Sequence, residues 1–266
     1  MYSKKLVVGF TFLSILTTLS LASVQATPSP KKLTVGQAEK IISNAIEKTI
    51  RWQNTNPFTV STTIEDGGQR TLDAYTIDKA GNVRIADSEG TILIEIGKNS
   101  YAPFVESAYP PFEIDIARKI GLDLKLKWVE VDSVTVNEKY DPDFTRNQAR
   151  AITKPNTTMF ESVYPYRSTI TSTRSGKIET IKISTKAFTD AQWGTVPSSS
   201  LTFTITEGIL SSYNFKSKGV VTSITYKSFK GVLKPPADPI LVWSKVLKHP
   251  DYVSLKEEYN SQVILG

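Results

Sequence analysis

From Ser200 to Phe215 the chain reads SLTFTITEGILSSYNF, with Leu201, Phe203 and Ile205 on one side of the backbone and Thr202, Thr204 and Thr206 on the other. After a KSKG turn the pattern resumes, with Val220, Ile224 and Tyr226 opposing Ser223, Thr225 and Lys227. Two-residue alternation in neighbouring runs describes an antiparallel sheet that is apolar on one face only. That face must be covered, so the cover sets both fold and function.

The remaining strands are read in the same way. PFTVSTTIEDGGQRTLDAYTID is a hairpin about an EDGG turn, DKAGN turns into VRIAD, and SEG leads to TILIEIG, where Ile92, Ile94 and Ile96 alternate. STITSTRSGKIETIKIST adds a further hairpin from Ser168, and paired prolines in KPPADP mark the exit from the sheet. Helical spacing occurs in TVGQAEKIISNAIEKTIRWQ, where Ala38, Ile41, Ile42, Ala45, Ile46 and Ile50 share a face behind a Thr34/Gln37 capping box. Short helices are expected in FEIDIARKIG and DPDFTRNQARAI, an alternating strand in LKLKWVEV, and a helical segment in DPILVWSKVLKHPDYVSLKEEYN. The expectation is an α+β, β-rich fold of eight to eleven strands. Its curved, incomplete antiparallel barrel wraps round the long N-terminal helix and smaller lid helices.

The first residues predict export. Lys4 and Lys5 precede an apolar run from Leu6 to about Ala22, and SVQA places cleavage after Ala26. The run is interrupted by Gly9 and several Ser and Thr, and it falls short of the ~20 apolar residues a membrane span needs. Residues 1–26 are therefore read as a signal peptide, 27–32 as a linker, 33–238 as the half-barrel and 239–266 as a C-terminal helical extension. The expected location is secreted, periplasmic or in the cell wall.

Removing residues 1–26 takes away two lysines and no acid, so the net charge of +6 becomes +4. This mild basicity, without a dense Lys/Arg run, does not describe a nucleic-acid-binding surface. The chain has no cysteine and a single histidine, His249, so the usual nucleophile and base pairs are nearly excluded. The acids of the hairpin turns read as solvated. No catalytic residue, metal site or cofactor is expected.

A helix only ~10 Å wide cannot cover a many-stranded sheet, so an apolar concavity is expected between the two. Its candidate lining residues are Ile42, Ile46 and Ile50 from the helix, and Ile92, Ile94, Ile96, Leu201, Phe203, Ile205, Tyr213, Ile224 and Tyr226 from the sheet.

ILIEIGKNSYAPFVESA, Ile92 to Ala108, resembles the strand, turn and strand segment of LolA-like lipoprotein carriers. AGNVRIA sits where that family has a strand often carrying an arginine, here Arg84. ITYKSFKGVLKPPAD resembles the closing strand of the actinobacterial lipid-binding relatives of the LppX and LprG type. The resemblance implies a cavity that shields acyl chains and, for Arg84, a hydrogen bond to a helix carbonyl that latches the lid. The implied partner is a lipid or lipidated protein, with a membrane surface or transport machinery beyond it. Two features depart from the family: there is no cysteine for lipid anchoring, and a helical segment follows KPPAD. Alternatives from other classes are a regulatory or sensory protein-binding module of the same fold, and a cell-surface β protein with a filled core.

Overall fold

The computed structural model describes residues 29–97, 99–132, 144–156, 158–161, 163, 165–190 and 194–265. The expected signal peptide lies outside these residues. Strands are β1 (Lys31–Lys32), β2 (Phe58–Asp66), β3 (Gln69–Ile77), β4 (Val83–Ala86), β5 (Thr91–Ile96), β6 (Asn99–Pro103), β7 (Trp128–Asp132), β8 (Ser168–Ser175) and β9 (Ile178–Thr185). They continue as β10 (Phe188–Asp190), β11 (Gly194–Val196), β12 (Ser199–Thr206), β13 (Ile209–Ser217), β14 (Val220–Ser228) and β15 (Ile240–Val242). The helices are α1 (Val35–Thr55), α2 (Pro111–Lys119), α3 (Phe144–Thr153), α4 (Thr158–Glu161), α5 (Ser244–Leu247) and α6 (Tyr252–Leu265).

One sheet takes thirteen strands in the order β1-β8-β9-β12-β13-β14-β2-β3-β4-β5-β6-β7-β15, while β10 and β11 pair separately. The sheet is open, since β1 and β15 end it without meeting. Every pairing is antiparallel except that of β15 with β7. Thirteen exceeds the expected eight to eleven because two very short strands extend the edges. One of these, Lys31 and Lys32, falls in the segment expected to be an unpacked linker. Both side chains are exposed, yet the backbone pairs with Thr171 and Ser172, which needs no side-chain burial.

Helix α1 begins as the sequence predicts. Gln37 N donates to Thr34 Oγ1, and Thr34 N donates back to Gln37 Oε1. Twenty-one residues make it about 31 Å long. Its buried stripe, Ala38, Ile42, Ala45, Ile46, Thr49 and Gln53, lies against Phe58, Val60, Ile77, Val83, Ile170, Ile181, Ile183, Leu201, Phe203, Ile205, Leu210, Tyr213 and Tyr226. The two alanines let the helix approach closely, and each isoleucine contributes about 2 kcal/mol by leaving water. Ala149 of α3 and Phe160 of α4 complete this core.

A second core lies at the far edge of the sheet. Ile114, Ile116 and Ala117 of α2 meet Val129, Leu241, Trp243 and Val246. The residues expected as a C-terminal extension thus begin with a sheet strand and supply Leu241, Trp243 and Val246 of this core. Between β14 and β15, residues 229–239 span six intervening strands. Leu233 N donates to the buried Asp78, 3.0 Å away, and Asp78 also accepts from Asn82 N and Asn82 Nδ2.

Cross-strand register corrects one group of expectations. Val83 pairs with Glu95 and Ile85 with Leu93, so the inner face of β5 carries Leu93 and Glu95. Ile94 and Ile96 lie on the opposite face, Ile92 is the extra residue of a bulge between Thr91 and Leu93, and none of the three belongs to the core under α1. Ile92 is exposed, while Ile94 is buried opposite Tyr101. Alternation marks Ile94 and Ile96 as sharing an apolar face, but it does not say which side of the sheet α1 covers, and here the side away from α1 also buries Ile94.

One buried hydroxyl joins α1 to the sheet. Thr49 Oγ1 donates to Ala45 O at 2.7 Å and accepts from Leu210 N at 2.8 Å. Leu210 N is available because the register between β12 and β13 shifts at Thr204/Ile205, which leaves Ser211 bulged. Thr49→Val keeps the shape but strands the Leu210 amide. It is expected to destabilise the protein by ~1–3 kcal/mol, read from the urea denaturation midpoint.

Candidate functional site

Among the described residues, the concave face is packed beneath α1 and incompletely covered beside α3. Val60, Tyr75 and Tyr226 occupy one cross-strand row, and Thr62, Ile224 and Tyr213 the next, on adjacent strands β13, β14, β2 and β3. With Ile152, Thr153, Lys154 and Asn156 above, they line a cleft of about 100 Å³. Two residues further along the same face the cover ends: Ile64 is 39% exposed, and Phe215 is half-buried.

The cleft has a polar side. Gln53 Nε2, on α1, donates to Thr153 O at 3.3 Å, which ties the end of α3 to α1. Gln53 Oε1 and Arg150 Nε are buried without a hydrogen-bond partner. Burial pushes the Tyr213 phenol up to about 12, and Tyr226 is raised by burial first and by Tyr213 next.

The structure brings together Ile42, Ile46, Ile50, Leu201, Phe203, Ile205, Tyr213, Ile224 and Tyr226 on one core. Only Tyr213, Ile224 and Tyr226 of these line the cleft. Leu201, Phe203, Ile205 and Ile42 are buried in the core under α1, with Ile205 at its margin beside a separate polar pocket that also takes in Lys48, Lys177 and Glu207. Arg84 pairs with Thr76 and Ile94, so its side chain leaves the sheet on the face opposite the α1 core. Sequence reasoning missed Val60, Thr62, Tyr75 and Ile152. The alternation of PFTVSTTI marks Val60 and Thr62 as sharing a face, but no local signal brings α3 over them.

A larger groove of about 770 Å³ lies on the second core, floored by Tyr109, Pro110, Pro111, Ile114 and Tyr259. On its rim Arg118 donates to Glu106 at 2.6 Å and to Asp115 at 3.4 Å. Beneath it the buried Glu113 accepts from Trp243 Nε1 at 3.0 Å and from Tyr252 OH at 2.9 Å. Phe112 packs on Tyr252 and Tyr259, so α6 is seated on α2. Burial and then Glu113 push the Tyr252 phenol up to about 12. The lone histidine is structural in its contacts, with Asp251 N donating to His249 Nδ1 at 3.2 Å.

The order of the strands, with both cores on one face of an open antiparallel sheet, decides the architecture. The fold is an open, incomplete antiparallel barrel laid round helices. No family model matches the chain, and no curated protein matches it in sequence. Among solved structures, the chain is similar to LprF from Mycobacterium bovis, with 12% identity, a TM-score of 0.35, and coverage of 80% of this chain and 100% of that one. It is also similar to a LolA superfamily protein from Nitrosomonas europaea, at 11% identity and TM-score 0.26, covering 74% of this chain and 94% of the other. A third similarity is to the hypothetical lipoprotein YmcC from Escherichia coli K12, at 8% identity and TM-score 0.19, covering 74% and 95%. Likenesses of this size carry no argument about ligand or activity. The half-barrel stands on the chain's own strand order and helix placement.

The tyrosines give a pH signature. Folded values near 12 for Tyr213 and Tyr252, against ~10 in the unfolded chain, mean that their stabilisation is complete below pH ~10 and is lost as pH rises through ~12. Denaturation midpoints are expected to fall over that interval. Tyr213→Phe removes part of the slope, while the share from Tyr252 remains.

Proposed function

We propose that the chain is an exported carrier that binds a lipid, or the acyl part of a lipidated protein, at the tyrosine-lined cleft between the sheet and α3. It binds cargo and passes it on, and no reaction is assigned to it. The observation that carries this reading is the unfinished cover of the concave face. Apolar residues continue from Val60 and Ile224 to the partly exposed Ile64 and Phe215, with a separate helix, α3, set over part of the row.

The cleft is small beside the ~300–1,000 Å³ of typical ligand pockets. Uptake therefore requires α3 to shift away from the strands while α1 stays, because the α1 face is packed and pinned through Thr49. Each methylene that enters contributes ~0.8 kcal/mol.

A second reading, a protein-binding module, is favoured by the groove at Tyr109, Pro110 and Tyr259, which is larger than the cleft and lies outside it. The two readings differ in which variant matters. Ile224→Trp blocks the cleft and is expected to reduce uptake of a fluorescent fatty acid by roughly tenfold, a loss of about 1.4 kcal/mol. Tyr259→Ala is expected to leave uptake unchanged. Native mass spectrometry of the purified parent protein is expected to show bound lipid. A parent that carries no lipid and takes up no fatty acid would remove the carrier reading.

A further inference from the structure

We infer that the junction of α1 and α3 receives a hydroxyl of the ligand between Gln53 Oε1 and Arg150 Nε. The assignment rests on the carrier reading and adds to it the polar group that the cargo brings. Among the described residues, these are the only two buried side-chain nitrogen or oxygen atoms without a hydrogen-bond partner. Folded chains leave few such atoms unpaired, and here an acceptor and a donor stand at one helix junction.

One bond and the spacing along α3 put the pair beside the cleft. Gln53 is 3% exposed, and its Nε2 donates to Thr153 O at 3.3 Å. Thr153 itself lines the cleft, together with its neighbours Ile152 and Lys154. Arg150 is half-buried and lies three residues before Thr153, on the adjoining turn of the same helix.

The bond to Thr153 O also fixes how the Gln53 amide is turned. A carbonyl only accepts, so the amide nitrogen faces it and Oε1 is left as an acceptor that needs a donor. Arg150 Nε is a permanent donor that needs an acceptor. A hydroxyl oxygen does both. An ionised carboxylate offers acceptors alone, and one of its oxygens would oppose Gln53 Oε1. An ether or ester oxygen satisfies Arg150 and leaves Gln53 unpaired. The pair thus selects a neutral, hydroxyl-bearing amphiphile, whose chain continues over Val60 and Ile224 in the same cleft. Water carries the same donor and acceptor, so a lipid hydroxyl has to be told apart from it by competition.

The full chain is loaded with a fluorescent fatty acid, and a long-chain alcohol is compared with the methyl ether of the same chain as displacing ligands. The alcohol is expected to displace the probe at roughly tenfold lower concentration, because only the alcohol donates to Gln53. Gln53→Met removes the acceptor and is expected to bring alcohol and ether within about twofold of each other. Arg150→Met removes the donor that both oxygens use, and is expected to weaken both roughly threefold while keeping their ratio. Neither variant is expected to change the affinity for the fatty acid, whose carboxylate stays outside the pair.

If melting curves show that Gln53→Met does not fold, Arg150→Met, at a half-buried position, carries the same comparison against the probe. Loss of probe affinity together with alcohol and ether affinity in either folded variant would show a structural role and overturn the site. Equal displacement by alcohol and ether from the parent protein would also overturn it, assign the pair to water and leave the carrier reading standing. A parent that takes up no probe, and shows neither alcohol nor ether bound by native mass spectrometry, would remove both.

Discussion

The structure depends on one requirement: a sheet that is apolar on one face must keep that face out of water. Helix α1 meets the requirement for the central strands by burying Ala38, Ile42, Ala45 and Ile46 against Leu201, Phe203 and Ile205. The contact is registered as well as greasy. The bulge at Ser211 frees the Leu210 amide, and Thr49 is placed one helical turn beyond Ala45 to receive it. Apolar packing alone would tolerate sliding of the helix along the groove, whereas a buried amide that must be satisfied gives it a single position.

A helix is too narrow for thirteen strands, and the chain solves the excess differently on its two sides. Beyond β5 it builds a second core from α2, β15 and the C-terminal helices. The carboxylate of Glu113 is held there by an indole N–H and a phenol, so it can remain buried without an opposing charge. Toward β13 and β14 the cover is thinner. Among the described residues the end of α3 approaches there, tied to α1 by the bond from Gln53, and a row of aromatic and aliphatic side chains runs out from the packed zone to the partly exposed Ile64. A packed face and a cleft thus follow one another across the same sheet.

This gradation links fold to the proposed binding. The helix α1 is pinned through Thr49, and the face left for a ligand lies beside the end of α3. The tyrosines of the cleft combine a large apolar body with a polar tip, which suits a boundary between a dry floor and a wet mouth. Their raised phenol values mark how far that floor is already withdrawn from water.

Much of this was legible in the linear chain, and the limits are physical. Alternation in SLTFTITEGILSSYNF and helical spacing behind Thr34 and Gln37 are local periodicities, so strands, helix and the sharing of faces by Leu201, Phe203 and Ile205 could be read directly. Local periodicity does not say which side of the sheet a distant helix covers. Ile92, Ile94 and Ile96 were therefore expected against α1, whereas Ile94 and Ile96 lie on the other side with Arg84 and Ile92 is bulged. Nor does it say how completely a cover fits. The concavity under α1 is filled, while the remaining cleft sits beside Ile152, a residue over 80 positions from Val60, and the larger groove joins Tyr109 to Tyr259. By itself the sequence determined the elements and the need for a cover, because those follow from neighbours along the chain. Only the tertiary structure decided where the cover closes, because that depends on volumes brought together from distant segments.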